Sequence, residues 1–185
     1  MDLLTVGHGR SDRVELISLL REAKVETLVD VRRFPGSRRN PDVGREAMTT
    51  WMPEVGIAYR WDERLGGRRR LPRTVASPDT WWQHEAFRAY AAHTRTPEFR
   101  EAMEELAASA QARTTVIMCS ESVWWRCHRR LIADVAMLCH DISVRHLMPS
   151  HTITIHQPSE GARLDDGDVV WDGGAGPDAR AGHGA

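Results

Sequence analysis

The chain has 185 residues, of which 41% are hydrophobic and 28% are charged, and its formal net charge is −1. This length suits a single domain with at most a tail, and no apolar run approaches the roughly 20 residues that cross a bilayer. The N-terminus has no signal-peptide layout, and three cysteines are too few for a disulfide framework. We therefore expect a cytoplasmic protein with reduced thiols and no membrane partner.

Charge is distributed unevenly along the chain. Residues 31–75 contain eleven arginines and five acidic residues, whereas residues 157–185 contain six acidic residues and two arginines. A basic segment indicates an anionic partner, either a small molecule or a nucleic acid. Lys24 is the only lysine, which weakens this indication because the whole chain favours arginine over lysine.

The start of the chain has the pattern of a strand–helix–strand unit. The apolar residues of Leu3–Gly7 predict a first strand, and a helical pattern follows to about Lys24. Asp12 and Glu15 have the spacing of a capping box at the start of this helix. Thr27–Val31 predicts a second strand, which a right-handed crossover places parallel to the first.

The rest of the chain continues the alternation of strands and helices. The pattern predicts helices at residues 44–52, 81–95, 97–112 and 124–139, and strands at residues 57–61, 114–119, 142–147 and 152–156. This alternation is typical of an α/β fold, here a three-layer sandwich with a mainly parallel central sheet. We expect residues 1–157 to form this single domain. Residues 158–185 are expected to form an acidic, Gly-rich, loosely ordered tail, in which Val169–Trp171 could dock.

Chemically reactive side chains follow the predicted strands at their carboxyl ends. In parallel sheets this edge is where ligands bind. The side chains expected at this edge are His8, Asp30, Arg32, Tyr59, Asp62, Cys119, Glu121 and His146.

Cys119 lies where a buried strand ends and a helical pattern soon begins. Unpaired backbone N–H groups and the helix dipole at such a junction favour the thiolate, so Cys119 could be a nucleophile. Arg126, Arg129 or His8 could lower its pKa further. Alternatively, Cys119 is a small buried hydrophobic residue, as most free cysteines are.

Two further interpretations involve Cys127 and His128. With Cys119 they could form a metal site, although adjacent residues on the predicted helix point about 100° apart and would not easily share one ion. They could also be structural, with Cys127 packed inward and His128 bonded to a neighbouring loop.

Other candidates follow the first two strands. Asp30 could be a general base, or it could orient Arg32 and Arg38 for a substrate near Ser37, or this group could be a salt-bridged loop anchor. His8 stands between two glycines, which allow a ligand to approach the backbone closely, and histidine carries protons near neutral pH. It could equally be a hydrogen-bonded turn residue.

Several tryptophans fall in or beside predicted loops, among arginines. They could form a stacking surface for nucleic-acid bases, or they could be half-buried packing residues. They are Trp61, Trp81, Trp82, Trp124 and Trp125. The sequence contains no Walker loop, GxGxxG, HExxH or paired CxxC motif, which removes support for the common nucleotide-binding, metalloprotease and zinc-ribbon classes.

Taken together, the motifs of residues 3–150 resemble a known family. They are Thr5-Val6-Gly7-His8, Val29-Asp30-Val31-Arg32 with Pro35 and Ser37, Tyr59, Leu65-Gly66-Gly67, Phe87, Tyr90 with Phe99, Met118-Cys119-Ser120-Glu121, Cys127-His128-Arg129 and the strand at 142–147. The chain is similar to members of the bacterial and archaeal family called domain of unknown function 488. The resemblance implies a compact α/β domain with a shared site and no settled activity. Val123-Trp124-Trp125 stands where the family tends to have a proline.

These observations lead to one functional hypothesis with two alternatives. We expect an enzyme that acts on a nucleotide, a nucleic-acid base or a similar anionic substrate. The alternatives are a non-catalytic nucleotide- or nucleic-acid-binding module and a metal or haem protein. The candidate catalytic residues are Cys119, Glu121, His8 and Asp30. The candidate substrate-binding residues are Arg32, Ser37, Arg38, Tyr59, Gly66, Gly67, His128 and Arg129. No residue is assigned to a metal, and the sequence identifies neither a cofactor nor an oligomeric state.

Overall fold

The computed structural model describes residues 2–37, 40–72 and 74–174. Its strands are β1 Asp2–Gly7, β2 Thr27–Asp30, β3 Ala58–Trp61, β4 Thr115–Cys119, β5 Ser143–Leu147, β6 Ile153–Ile155, β7 Ala162–Asp165 and β8 Asp168–Trp171. Its α-helices are α1 Arg13–Glu22, α2 Arg45–Glu54, α3 Glu85–His93, α4 Pro97–Ala112 and α5 Arg129–His140. Within these residues, no helix combines the length and the apolar character needed to cross a membrane.

The central sheet has six strands in the order β3-β2-β4-β1-β5-β6. Its pairs are parallel except for β5 with β6, which is antiparallel. Successive residues of β1 face opposite layers: Leu3 packs with α3, α4 and α5, whereas Leu4 packs with α1 and α2. Burial on both faces explains the continuous apolar strands in the sequence. The predicted three-layer α/β fold is confirmed.

The capping box predicted at the start of α1 is also confirmed. Asp12 Oδ1 accepts from the Glu15 backbone N–H at 2.9 Å, and Glu15 Oε2 accepts from the Asp12 N–H at 3.0 Å, which completes the capping box. Helix α4 begins with Pro97 in its first turn, where a missing N–H costs nothing. Thr96 caps this helix by accepting a hydrogen bond from the Phe99 N–H.

The helix predicted at 124–139 begins later in the structure. Trp124–Arg126 forms a single 3-10 turn, Cys127 is extended with φ −126° and ψ 150°, and α5 starts at Arg129. The indole of Trp124 stacks on His146, with the ring centroids 4.1 Å apart, which holds this turn against β5. Cys127 therefore lies outside the helix, and the helical argument against a shared ion does not apply.

Residues 158–174, which the sequence assigns to a tail, include a β-hairpin packed on the α/β domain. Strands β7 and β8 pair antiparallel, and Trp171 is fully buried against α5. Its indole Nε1 donates to Asp134 Oδ2 at 2.8 Å. Val169, at 2% exposure, packs into the same core, so Val169–Trp171 does dock. Residues 175–185 of the predicted tail lie outside the described residues.

Candidate functional site

The carboxyl ends of β1 and β4 lie side by side in the sheet, and the chain leaves them in opposite directions. From β1 it runs to β2, and from β4 it crosses over β1 to reach β5. A reversal of this kind opens a crevice in which α/β proteins bind ligands. A cavity of about 720 Å³ lies there, a volume usual for small-molecule sites. The predicted site residues in its wall are Arg32, Gly67, Cys119, Glu121 and His128.

A second cavity of about 950 Å³ adjoins the first, since both share Arg33, Phe34 and Arg68 in their walls. Arg69 and Arg70 add further positive charge to the second cavity. Four arginines from the basic middle of the chain, Arg33 and Arg68–Arg70, therefore line this second cavity.

Two sulfur atoms and one imidazole meet in the wall of the 720 Å³ cavity. His128 Nδ1 lies 3.6 Å from Cys127 Sγ and 3.9 Å from Cys119 Sγ. On the other side of the ring, His128 Nε2 lies 2.9 Å from the carbonyl oxygen of Val31. A carbonyl oxygen only accepts, so Nε2 carries a proton, and in the neutral ring Nδ1 presents its lone pair to the sulfurs.

The surroundings of Cys119 and Cys127 give the two thiols different pKa values. Burial raises the pKa of Cys127, but a hydrogen bond from the Cys119 thiol and the charge of Arg129 outweigh it and lower that pKa to about 6. Arg129 Nε donates to Cys127 Sγ at 3.4 Å. The same hydrogen bond with Cys127, together with burial, raises the pKa of the Cys119 thiol to about 12. Of the two thiols, Cys127 is therefore the one whose surroundings, including Arg129, favour the thiolate, whereas the sequence predicted the thiolate at Cys119.

A buried ion pair joins the ends of β1, β2 and β3. Asp30 and Arg32, which are 0% and 4% exposed, form a two-point ion pair, and Tyr59 OH donates to Asp30 Oδ2 at 2.8 Å. Arg32 Nη1 lies 3.3 Å from His8 Nε2. Burial and the Arg32 charge lower the pKa of His8 to about 4, so this imidazole is neutral. Asp30 therefore orients Arg32 inside the fold.

The description "Domain of unknown function DUF488" belongs to the family model that matches residues 12–136. The chain belongs to this family. Comparison with curated proteins finds no match, and comparison with solved structures finds none either. The DUF488 segment contains the ion pair and the Cys119–Cys127–His128 cluster, whereas His8 and His146 lie outside it.

The remaining predicted residues of this DUF488 domain occupy different positions. Ser37 Oγ accepts from the Asn40 N–H at 3.0 Å, which stabilises its own loop. Gly66 packs against the backbone of Arg33, because a Cβ there would lie 2.8 Å from the Arg33 Cα. Arg38 lies outside the described residues.

Gly67, Glu121 and Arg129 surround the sulfur cluster. A Cβ at Gly67 would lie 2.8 Å from His128 Nδ1, so glycine keeps that nitrogen uncrowded. Glu121 is exposed beside the cavity, and its backbone carbonyl accepts from Arg129 Nη2. Arg129 is only 1% exposed, and its Nε donates a hydrogen bond to Cys127 Sγ. It therefore contacts the cluster from the protein interior and not from the cavity.

Behind Arg129 runs a buried polar chain that the sequence did not reveal. Asp134 Oδ1 accepts from His156 Nε2 at 2.8 Å, and His156 Nδ1 lies 3.0 Å from His146 Nε2. His146 Nδ1 lies 2.7 Å from Thr5 Oγ1, which accepts from Arg129 Nη1 at 3.3 Å. In the sequence, the sign of this polar chain is Asp134, a single aspartate within the apolar face of α5.

Some of the tryptophan side chains pack inside the protein, whereas Trp125 is exposed to solvent. Trp82 is 5% exposed and stacks on Phe87, and Trp61 packs under Arg45, 4.0 Å from the guanidinium carbon to the ring centroid. Trp125 is 47% exposed and lines the 720 Å³ cavity. Among the predicted stacking residues, Trp125 is therefore the one best placed to contact a ligand.

Proposed function

We propose that the protein is an enzyme that acts on a nucleotide, a nucleic-acid base or a similar anionic substrate. The observation that carries the proposal is one cavity that has arginines at its rim and the Cys119–Cys127–His128 cluster in its wall. Cations hold the substrate and the sulfur cluster supplies the reactive group.

The rim arginines are the groups that would hold the anion. Arg10, Arg68 and Arg126 are exposed and line the cavity. By contrast, Arg32 and Arg129 are buried in contacts with the protein itself. Arginine binds phosphate and carboxylate groups through paired N–H donors, so the exposed arginines suit an anionic substrate.

Two exposed aromatic rings favour a planar substrate over a simple anion. Phe34 is 65% exposed and Trp125 is 47% exposed, and both line the cavity. Ligand cavities are lined mainly by apolar and aromatic side chains, with a few polar groups that orient the ligand. Bases stack on aromatic faces with about 1–3 kcal/mol per base, independent of sequence.

In the chemical step, the thiolate of Cys127 would be the nucleophile. The thiol of Cys119 would stabilise this thiolate by donating a hydrogen bond to it. Glu121 is an exposed carboxylate on the same wall and would carry protons between the site and water. Asp30 and His8 would position Arg32 and the loop after β1.

The proposal is tested in two steps with the full chain. Thermal shift with nucleotides, nucleosides and free bases should identify a ligand whose stabilising effect falls in Arg126→Ala and weakens with salt. Arg113→Ala is the matched control, because Arg113 is exposed at the amino end of β4, on the opposite edge. Chromatography of the bound compounds should then show turnover that is lost in Cys127→Ala. Turnover unchanged in both Cys119→Ala and Cys127→Ala would contradict the proposed site.

A second candidate is a non-catalytic nucleic-acid-binding module. It is favoured by the adjoining 950 Å³ cavity with Arg33, Arg68, Arg69 and Arg70, which extends the positive surface beyond the size of one nucleotide. Salt-dependent binding of oligonucleotides that survives Cys119→Ala and Cys127→Ala, without turnover, would support this candidate.

A further inference from the structure

The spacing of the Cys119–Cys127–His128 cluster matches the spacing of zinc ligands. The two Sγ atoms and one ring nitrogen all lie within 4.8 Å of one another. Zinc bonds of about 2.3 Å to sulfur and about 2.0–2.1 Å to nitrogen, at tetrahedral angles, separate the sulfur and nitrogen atoms by about 3.6 Å. The observed separations from His128 Nδ1 are 3.6 Å to Cys127 and 3.9 Å to Cys119.

The histidine is already in the form that a metal requires. Its Nε2 proton is held by the Val31 carbonyl at 2.9 Å, so the free lone pair of Nδ1 points at the sulfurs. Metal-bound histidines are commonly oriented by such a bond from the second nitrogen. Gly67 leaves Nδ1 uncrowded, because a Cβ there would lie 2.8 Å from this atom.

We infer that Cys119, Cys127 and His128 bind a zinc ion whose fourth position opens into the 720 Å³ cavity. Two thiolates and an imidazole are soft ligands that suit Zn²⁺ and disfavour Mg²⁺ or Ca²⁺. Three protein ligands and an open position are the arrangement of catalytic zinc sites, whereas structural sites have four protein ligands.

The inference goes beyond the proposed function, because it concerns a resident metal and holds for any substrate. It also changes what the cluster presents to the cavity. With zinc bound, both sulfurs are ligands, so the nucleophilic role proposed for Cys127 would apply to the metal-free chain alone, and water or a substrate atom would take the fourth position. Arg129, whose Nε lies 3.4 Å from Cys127 Sγ, would then donate a hydrogen bond to a sulfur that binds the metal and so fix its orientation.

Zinc binding to the purified full chain tests the inference. The reduced, chelator-treated protein is titrated with Zn²⁺ against a chromophoric competitor, and separately with Co²⁺ as a spectroscopic substitute. We expect about one ion per chain, with the charge-transfer and d–d absorption of a tetrahedral cobalt–thiolate site. Affinity should fall at least about tenfold in Cys127→Ala, the loss that even an outer-shell change can cause. Cys139→Ala is the matched control, because Cys139 is exposed and outside the cluster.

A second measurement on the wild-type chain covers the case in which Cys127→Ala does not fold. Zinc should slow alkylation of Cys119 and Cys127 by N-ethylmaleimide and leave Cys139 unaffected. Alkylation of the two cluster cysteines at the same rate with and without zinc, or unchanged zinc affinity in a folded Cys127→Ala, would overturn the inference. Neither measurement involves a substrate, so its failure is distinct from failure of the proposed enzymatic function.

Discussion

Mild acid should destabilise the protein through His146, which is neutral and fully buried between Thr5 and His156. An added proton would therefore place a charge in a buried site close to His156 and Arg129. Burial, with the neighbouring His156 and Arg129, lowers the pKa of His146 from 6.5 to about 2. The unfolded chain therefore binds a proton below about pH 6.5 that the folded chain does not.

The direction and size of the effect follow from this difference. Stability from His146 is fully present above about pH 6.5 and is lost progressively as the pH falls towards 2. Each pH unit below the unfolded pKa costs about 1.4 kcal/mol per group, so a change from about pH 7.5 to about pH 5.5 should cost about 1.4 kcal/mol. His8, whose pKa falls to about 4 through burial and Arg32, adds a comparable loss over the same interval.

Urea denaturation of the wild type and of His146→Gln at these two pH values isolates the contribution. Glutamine keeps a donor and an acceptor but does not titrate, so the variant should lose about 1.4 kcal/mol less than the wild type. His151→Gln is the control, since His151 is exposed and pairs with Glu22 at the surface. If His146→Gln loses as much free energy of unfolding as the wild type, His146 is not the group linked to the proton, and the reasoning is wrong.

Three other predictions test the ion pair, the hairpin and the thiols. Asp30→Asn should lower the free energy of unfolding by about 3–5 kcal/mol in urea denaturation, because Arg32 would stay buried without its carboxylate. Trp171→Ala should cost about 3–5 kcal/mol by the same assay, because its indole is fully buried in the core. In metal-free protein near neutral pH, Cys127 should react with iodoacetamide faster than Cys119, since their pKa values are about 6 and about 12; peptide mass spectrometry measures both rates.

Each of these predictions has a matched control in the chain. Glu54→Gln removes an exposed ion pair with Arg13 and should change stability by less than about 1 kcal/mol. Leu164→Ala removes a half-exposed side chain from the same hairpin and should cost less than Trp171→Ala. The exposed Cys139 provides an internal reference for the alkylation rates. Equal losses in a variant and its control, or faster reaction at Cys119, would contradict the corresponding argument.

Much of the fold could be predicted because its signals are local. Residues of β1 that alternate between two buried layers produce the continuous apolar run of Leu3–Gly7. The capping box of Asp12 and Glu15 needs contacts only three residues apart. The cavity at the carboxyl edge followed from parallel topology alone, which is why Cys119 and Glu121 could be expected there.

The details of the site depended on contacts between distant residues and could not be predicted. The turn that precedes α5 contains Trp124, which stacks on His146 of β5, a contact that no local sequence pattern indicates. The acidity of Cys127 relative to Cys119 depends on which sulfur the Arg129 side chain reaches, and spacing along the chain does not determine this. The partners of Asp134 come from later segments with no helical or strand periodicity relative to it.

The carboxylate of Asp134 has consequences for the order in which the chain matures on the ribosome. Its hydrogen bonds come from His156, the backbone N–H of Ser159 and Trp171, all of which are synthesised after α5. Until those residues emerge, burial of α5 in a nascent chain would leave the carboxyl group of Asp134 without hydrogen-bond donors, which is unfavourable. A ribosome stalled before residue 156 should therefore hold α5 undocked, with its apolar face available to chaperones.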